Sequence, residues 1–166
     1  MNELFDVRRS QDGNQVLKSL NGQIQSVVEI TDATYSVEDY QSGSIFALNK
    51  AAGMTITLPS AESGMVFEFY VADTFTGTLQ IDADSASDTL QGVLSASPSL
   101  TGTATNAGDT TAFVGPAAAD HQFIANADTK GRVVGTRIKY QCVSDSKWLI
   151  SGHLVTIGTV ATPFCL

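Results

Sequence analysis

The chain is poor in the residues from which most active sites and cross-links are built. Its 166 residues include two cysteines, two histidines and one tryptophan, and only 16% of them are charged. It has no Cys-x-x-Cys or His-x-x-x-His spacing, so the common zinc and redox motifs are absent. No two glycines lie two residues apart, which excludes the glycine fingerprint of dinucleotide-binding folds. The standard signatures of metal, redox and nucleotide chemistry are therefore missing from this sequence.

Basic residues are also scarce, and they fall in two segments. Between Glu29 and Asp128 there are thirteen acids against the single base Lys50, and the net charge is −8. An acidic body argues against nucleic acid as a partner, because phosphate contacts need clustered Lys and Arg. The segment 130–147 is either a charge partner for an acidic neighbour or a solvated strand face. The bases outside the acidic body are Arg8, Arg9, Lys18, Lys130, Arg132, Arg137, Lys139 and Lys147.

Long apolar runs are missing as well. The first residues lack the apolar core of a signal peptide, and the uncharged stretch 148–166 is too polar for a convincing membrane span. We therefore expect a soluble protein, made in a cytoplasm, with no membrane partner. Cys142 and Cys165 are then expected to be free thiols. Cys142 lies in an alternating run and is interpreted as a small core residue.

What the sequence does contain is a series of short β-strands bounded by Gly, Pro and Asp. Strands that return this quickly are expected to be antiparallel, because a parallel return needs a crossover of a dozen or more residues. We predict an all-β fold, an antiparallel β-sandwich or jelly-roll-like domain at residues 31–166, preceded by an extended N-terminal arm at residues 1–30. Single helical turns are predicted within 37–43 and 117–120. The predicted strands are 27–31, 44–49, 55–58, 67–71, 79–81, 133–134, 137–143 and 147–151.

The best metal candidate is the group Asp82, Asp84 and Asp88, since oxygen ligands at alternating positions suit a hard cation such as calcium. An EF-hand loop that started at Asp82 would need Gly at its sixth position and Glu at its twelfth. Those positions hold Ser87 and Val93. Turn-forming aspartates explain the group without a metal.

Two further sets of residues could in principle carry chemistry. Glu62 and Glu68 could form a glycosidase pair, but Glu68 is predicted to face away from the apolar stripe of its strand. His121 and His153 are single histidines, which are more often hydrogen-bonded surface residues than ligands. The sequence therefore predicts a protein that is not an enzyme and that has no cofactor.

Several segments together carry a resemblance to a known class of proteins. They are Ser42–Leu48 (Ser-Gly-Ser-Ile-Phe-Ala-Leu), Thr55–Pro59 (Thr-Ile-Thr-Leu-Pro), Gly64–Phe69, Asp88–Gly92 and Lys147–Gly152. In this order they resemble small β-rich virion proteins of tailed bacteriophages, namely head decoration (cement) proteins and related head-fibre or tail-fibre modules. The match covers residues 40–152. The resemblance implies a module that trimerises on a capsid or fibre surface, with an N-terminal arm that reaches a neighbour.

The first hypothesis is a capsid decoration protein located on the virion surface and assembled in the host cytoplasm. Its partners would be the major capsid protein and sister copies in a homotrimer. The arm would make the contact through apolar residues bordered by cations, with the basic segment 130–147 as the next candidate. The predicted contact residues are Leu4, Phe5, Val7, Arg8, Arg9, Val16, Leu17 and Lys18.

The alternative is a tail or head fibre module that binds host-surface glycans. It would use Tyr70, Trp148 or other exposed aromatic residues as stacking platforms. Trp148 also fits the core of a sheet, where an aromatic residue in a strand is commonly buried.

Overall fold

The chain folds almost entirely into β-strands. The computed structural model describes residues 18–19, 22–23, 25–98, 111–114 and 121–165. Two short 3₁₀ turns, Asp39–Gln41 and Asp128–Lys130, are the helical elements of this part of the chain. Its strands, in chain order, are β1 (Lys18–Ser19), β2 (Gly22–Gln23), β3 (Val27–Ile30), β4 (Thr34–Ser36), β5 (Ile45–Leu48), β6 (Met54–Thr57), β7 (Val66–Val71), β8 (Leu79–Asp82), β9 (Thr89–Pro98), β10 (Thr111–Val114), β11 (Gln122–Ala125), β12 (Arg137–Ser144), β13 (Lys147–Thr156) and β14 (Phe164–Cys165).

Two sheets share one core. The larger sheet has the order β10-β9-β13-β12-β7-β5-β3, and the smaller has the order β14-β11-β8-β6-β4. The short strands β1 and β2 pair with each other and belong to neither of these sheets. Alternate side chains of both sheets enter a single apolar cluster, as expected when successive residues of a strand point to opposite faces. The structure confirms the prediction of an all-β sandwich.

The predicted antiparallel pairing is wrong for the first half of the fold. From β3 to β8 the chain places successive strands alternately in the two sheets. Within a sheet, neighbouring strands are therefore separated by a strand of the other sheet, and they run parallel: β3 with β5, β5 with β7, β4 with β6, and β6 with β8. A parallel return needs a long crossover. Here the strand of the opposite sheet lies in that crossover, where many proteins have a helix.

The second half of the fold mixes both directions. β12 pairs antiparallel with β7 and β13, and β11 pairs antiparallel with β8 and β14. The long strands β9 and β13 run parallel along their whole length, and β10 is antiparallel to β9. This pattern differs from the antiparallel double Greek key of a jelly roll. The sandwich is therefore a mixed one.

Aromatic rings fill the middle of the core. Phe46 and Phe69 stack with ring centroids 5.2 Å apart, and Tyr140 meets Phe69 edge-on at 5.6 Å. Phe67 contacts Trp148 at 5.8 Å. These five side chains are at most 1% exposed. They come from β5, β7, β12 and β13, so ring packing ties the parallel half of the larger sheet to the antiparallel half.

Some finer predictions can also be compared with the structure. The helical turn within 37–43 is confirmed as Asp39–Gln41. The strand at 133–134 is wrong, because the Thr136 N–H donates to the Val133 carbonyl at 3.2 Å and Gly135, at φ +95°, completes a turn. The turn predicted within 117–120 lies outside the described residues. Residues 27–30, assigned to the arm, form β3 of the larger sheet, and Ile30 is buried in the core.

Candidate interaction surface

Most of the predicted contact residues lie outside the part of the chain that the structure describes. These are Leu4, Phe5, Val7, Arg8, Arg9, Val16 and Leu17. Lys18 is described only by its backbone, which pairs with Gln23 in the β1–β2 ribbon. Contact through the arm therefore stays a prediction. The arm leads into β3, the edge strand of the larger sheet.

The aromatic residues named as stacking platforms differ in their exposure. Trp148 is fully buried against Phe67. Its interpretation as a platform for sugar rings is therefore wrong, and its interpretation as a core residue is confirmed. Tyr70 is half-buried on the outer face of β7, opposite Arg137 of β12. Tyr40 is the most exposed large aromatic side chain of the described residues, at 74%.

The three aspartates proposed as metal ligands have separate local roles. Asp82, on β8, accepts hydrogen bonds from Gln80 Nε2 at 2.8 and 3.0 Å. Asp84 accepts one from Ser60 Oγ at 2.6 Å. Burial raises the pKa of Asp82, and burial with the nearby Asp84 charge raises the pKa of Asp88. Within the described residues no group of three or more His, Cys, Asp or Glu side chains is arranged to hold a metal ion.

The remaining candidates for chemistry lie on open surface. Glu62 is exposed in the loop before β7, whereas Glu68 pairs with Arg137 on the outer face of the larger sheet. His153, on that face, lies 2.9 Å through Nδ1 from Ser95 Oγ, which also donates to the Gly152 carbonyl at 3.1 Å.

The outer faces of the two sheets differ in character. On the smaller sheet most outward positions are polar, with Thr55 and Thr57 on β6 and Gln80 and Asp82 on β8, although Ile124 on β11 is half-buried beside Gln80. On the larger sheet, valine and leucine side chains are 42% to 59% exposed at outward positions. The larger sheet therefore has the more apolar outer face of the two, with these side chains set among charged and polar ones. The exposed apolar residues of the larger sheet are Val27, Val93, Val143 and Leu149.

Charged residues occupy the centre of this outer face. The strand register places Val93, Ser151, Lys139, Glu68, Ile45 and Val27 in one row across the sheet. Arg137 Nε donates to Glu68 Oε1 at 3.0 Å, and its side chain remains 60% exposed. A groove of about 220 Å³ lies here between Glu68, Arg137, Lys139 and Ser151.

The basic segment 130–147 divides into two parts with different roles. Arg132 is structural: its Nε donates to Asp128 at 2.7 Å and its terminal nitrogen to the Thr76 carbonyl at 2.8 Å. Arg137, Lys139 and Lys147 project from β12 and β13 on the outer face of the larger sheet. Three bases therefore accompany the exposed apolar residues on the same face.

A second feature lies at the end of the sandwich where β5 and β7 begin. Tyr40 stands there in the 3₁₀ turn, and its N–H donates to Asp39 Oδ1 at 2.6 Å. The turn is closed by a bond from the Glu38 N–H to Gln41 Oε1 at 2.9 Å. The ring lines a surface depression of about 400 Å³ together with Asp39 and Glu62. The turn thus presents an aromatic ring beside carboxylates.

Sequence reasoning named the basic segment 130–147 but missed the exposed apolar residues beside it and the Tyr40 depression, although the larger sheet did carry a signal. Val143 and Leu149 fall on the same parity as charged residues of β12 and β13, and so they share the outward face with Lys139. Apolar residues at such positions distinguish this face from a fully polar one. Tyr40 lies in a turn, where periodicity gives no information on exposure.

Comparison with known proteins adds no identification. No model of a known protein family matches this chain, and no curated protein matches it. Among the described residues, no helix is long and apolar enough to cross a membrane.

Proposed function

We propose that this chain is a structural protein of a phage particle that decorates the capsid. The observation that carries the proposal is the one-sided surface of the sandwich. One sheet has a mostly polar outer face, while the other exposes valine and leucine around a charged centre. Exposed apolar side chains beside an unbalanced group of charges are a reason to expect a partner of complementary charge on this face.

The surface geometry supports a binding role in preference to a catalytic one. The depression beside Tyr40 and the groove beside Arg137 are both open to solvent, whereas sites for small substrates usually enclose most of the ligand. The alternative, a fibre module that binds glycans, loses one of its two named platforms because Trp148 is buried, and the other, Tyr70, is half-buried. Decoration of the head is therefore the preferred function.

Attachment to the shell is assigned to the arm. Its apolar residues and its bases Arg8, Arg9 and Lys18 fit a shell patch that is apolar at its centre and acidic at its rim. Because many copies bind a repeating lattice, each contact can be modest and the shell is still reinforced.

The test is a truncation that begins the chain at Ser26. This cut removes the arm and keeps β3 in the larger sheet. Particles of the phage that carries this sequence are prepared without the protein and then mixed with full-length or truncated chain. Co-sedimentation measures occupancy, and a far-ultraviolet spectrum dominated by strand verifies the fold. We expect the full chain to bind heads and the folded truncation to lose binding.

Two outcomes would contradict the proposal at different points. If the truncated chain decorates heads at full occupancy, the arm is not the attachment, and Arg137 and Lys139 are substituted next. If the full chain does not bind heads, and imaging of complete particles shows it at the tail tip, head decoration is wrong.

A further inference from the structure

The groove on the larger sheet has an apolar and backbone floor with charged side chains at its border. It lies over Ile138 and Gly152, which contribute no outward side chain, and Arg137, Lys139 and Ser151 border it. The groove has a net positive charge, because its lining includes the two bases Arg137 and Lys139 and the single acid Glu68. Within the described part of the chain, Lys139 has no ion-pair partner. A ligand that is aromatic at its tip and acidic at its sides would match this groove.

The chain itself carries such a feature. Tyr40 is exposed on a turn that two hydrogen bonds hold in place. The carboxylates of Asp39 and Glu62 line the depression beside the ring, and neither has an ion-pair partner among the described residues. Tyrosine gives a large contact area for little loss of side-chain entropy, and a fixed turn lowers that loss further.

We propose that the Tyr40 turn of one copy docks into the Arg137–Lys139 groove of a second copy. The ring would cover the groove, while Asp39 and Glu62 would face the two bases. This contact joins copies of the chain, so it goes beyond binding to the shell and does not depend on it. It also explains why a protein of net charge −8 keeps exposed bases in the middle of its larger sheet.

The two patches are different surfaces, and this limits the assemblies they can form. A turn-to-groove contact repeated in one direction closes into a ring or continues as a filament; two copies that exchange turns form a twofold pair. If the proposed function holds, arrangement on a closed shell requires a finite assembly, and only this step rests on that function. We therefore expect one defined oligomer, and its mass gives the number of copies.

The first experiment removes the aromatic ring from the full-length chain. Sedimentation velocity over a concentration series measures the dissociation constant of the oligomer. Central aromatic anchors dominate interface energies, so Tyr40→Ala should raise this constant at least about 10-fold. The control is Val134→Ala, an exposed apolar residue in the turn that contacts the opposite end of β7. The control should keep the constant within about 2-fold of the parent.

The second experiment exchanges charges across the contact. Lys139→Glu should weaken association, and combining it with Glu62→Lys should restore much of what was lost, because attraction returns with the signs reversed. Lys130→Glu changes a base outside the groove by the same amount and should have little effect. Far-ultraviolet spectra and melting temperatures establish that each variant is folded. Association of the parent should also weaken as salt is raised.

The proposal is overturned by either of two results. One is a full-length chain that remains monomeric at the highest soluble concentration. The other is an oligomer whose dissociation constant is unchanged in folded Tyr40→Ala and Lys139→Glu, which would place the interface elsewhere.

Discussion

Arg137 and Glu68 form an ion pair diagonally across the ladder between β12 and β7. In the register of these strands Arg137 stands directly opposite Tyr70, and it is Lys139 that stands opposite Glu68. Arg137 nevertheless reaches Glu68, with Nε 3.0 Å from Oε1. The one acid in this part of the face thus lies between two bases, so the pair leaves a net positive charge at the centre of the sheet.

The first prediction concerns the energy of this pair. Because the Arg137 side chain is 60% exposed, solvent screens its attraction to Glu68. A double-mutant cycle with Arg137→Ala and Glu68→Ala, followed by urea unfolding of the monomer, should give a coupling energy of about 0.2–1 kcal/mol. The coupling should shrink in about 1 M salt, where the Debye length is near 3 Å. A coupling above about 2 kcal/mol in the monomer would show that the pair is shielded from water.

The second prediction concerns the close approach of β9 and β13. Gly92 has φ +136°, and a Cβ added there would lie 1.9 Å from the Ile150 carbonyl oxygen. Gly92→Ala should therefore lower the free energy of unfolding by on the order of 3 kcal/mol or more, since the backbones must move apart. Gly43→Ala is the matched control: φ is +90° there, but nothing lies within 4 Å. Its cost should be about 1–2 kcal/mol, from the backbone alone. Equal costs for the two variants would contradict the steric argument.

The positions of β3, β5 to β8, β12 and β13 could be predicted from the sequence, because burial on one face imposes a period of two, whereas β4, β9, β11 and β14 were not predicted. Phe67, Phe69 and Val71 illustrate this, since all three are buried as their alternation indicates. The pairing could not be predicted in the same way. The sequence of a four-residue strand such as Met54–Thr57 does not indicate which of the two sheets the strand joins. Short connections suggest hairpins, and the sheet-to-sheet alternation that makes the neighbours parallel becomes visible only in the folded chain.

The residue types of the candidate surface could be predicted from the sequence, but the positions of these residues on the fold could not. The sequence indicated a basic segment at 130–147, and the structure puts Arg137 and Lys139 on an outer face while Arg132 is bonded to Asp128 and to backbone carbonyls. Whether a base points to the outer face or towards the backbone depends on the direction of its side chain. That direction is set by the residue at which the turn at Gly135 ends and β12 begins. The depression beside Tyr40 joins residues from two separate loops, so local sequence contains no sign of it.

The third prediction is a pH dependence that originates at Asp82. Burial raises the pKa of this carboxyl, although hydrogen bonds from Gln80 and the charge of His121 act in the opposite direction. The folded chain consequently binds more protons than the unfolded chain between the ordinary value of 3.8 and the raised value. In that window the contribution of Asp82 to the free energy of unfolding falls as pH rises, and above it the contribution stays unfavourable.

Replacing this carboxyl with an amide tests the sign. Asp82→Asn keeps an acceptor for Gln80 and removes a half-buried charge. It should raise the free energy of unfolding at neutral pH, by less than about 1 kcal/mol because solvent screens this partly exposed group. It should also flatten the dependence of stability on pH just above 3.8. Urea unfolding from pH 3 to pH 7 measures both effects, with Asp73→Asn, an exposed carboxylate after β7, as the control. A loss of stability at neutral pH in Asp82→Asn would contradict the prediction.

The fourth prediction concerns the thiol of Cys142. This side chain is 1% exposed on the inner face of β12, and its Sγ donates to the Ser144 carbonyl at 3.0 Å. Burial raises its pKa, and the carboxylates of Asp145, Asp88 and Glu62 raise it further, against the lowering effect of the Ser144 bond. Since the thiolate is the reacting form, both the lack of access and the raised pKa should make the native thiol inert.

The measurement uses a Cys165→Ser variant, so that Cys142 is the one remaining thiol. At pH 8 its reaction with an aromatic disulfide reagent should be at least about 100-fold slower in the folded protein than in denaturant, because reaction requires β12 to open. The rate in the folded state should rise with low concentrations of urea as opening becomes more frequent. A Gly92→Ala background, which is expected to loosen the neighbouring strands, should react faster than the parent. A folded protein that reacts at nearly the unfolded rate would show that β12 is open to solvent, contrary to its buried position next to β7 and β13.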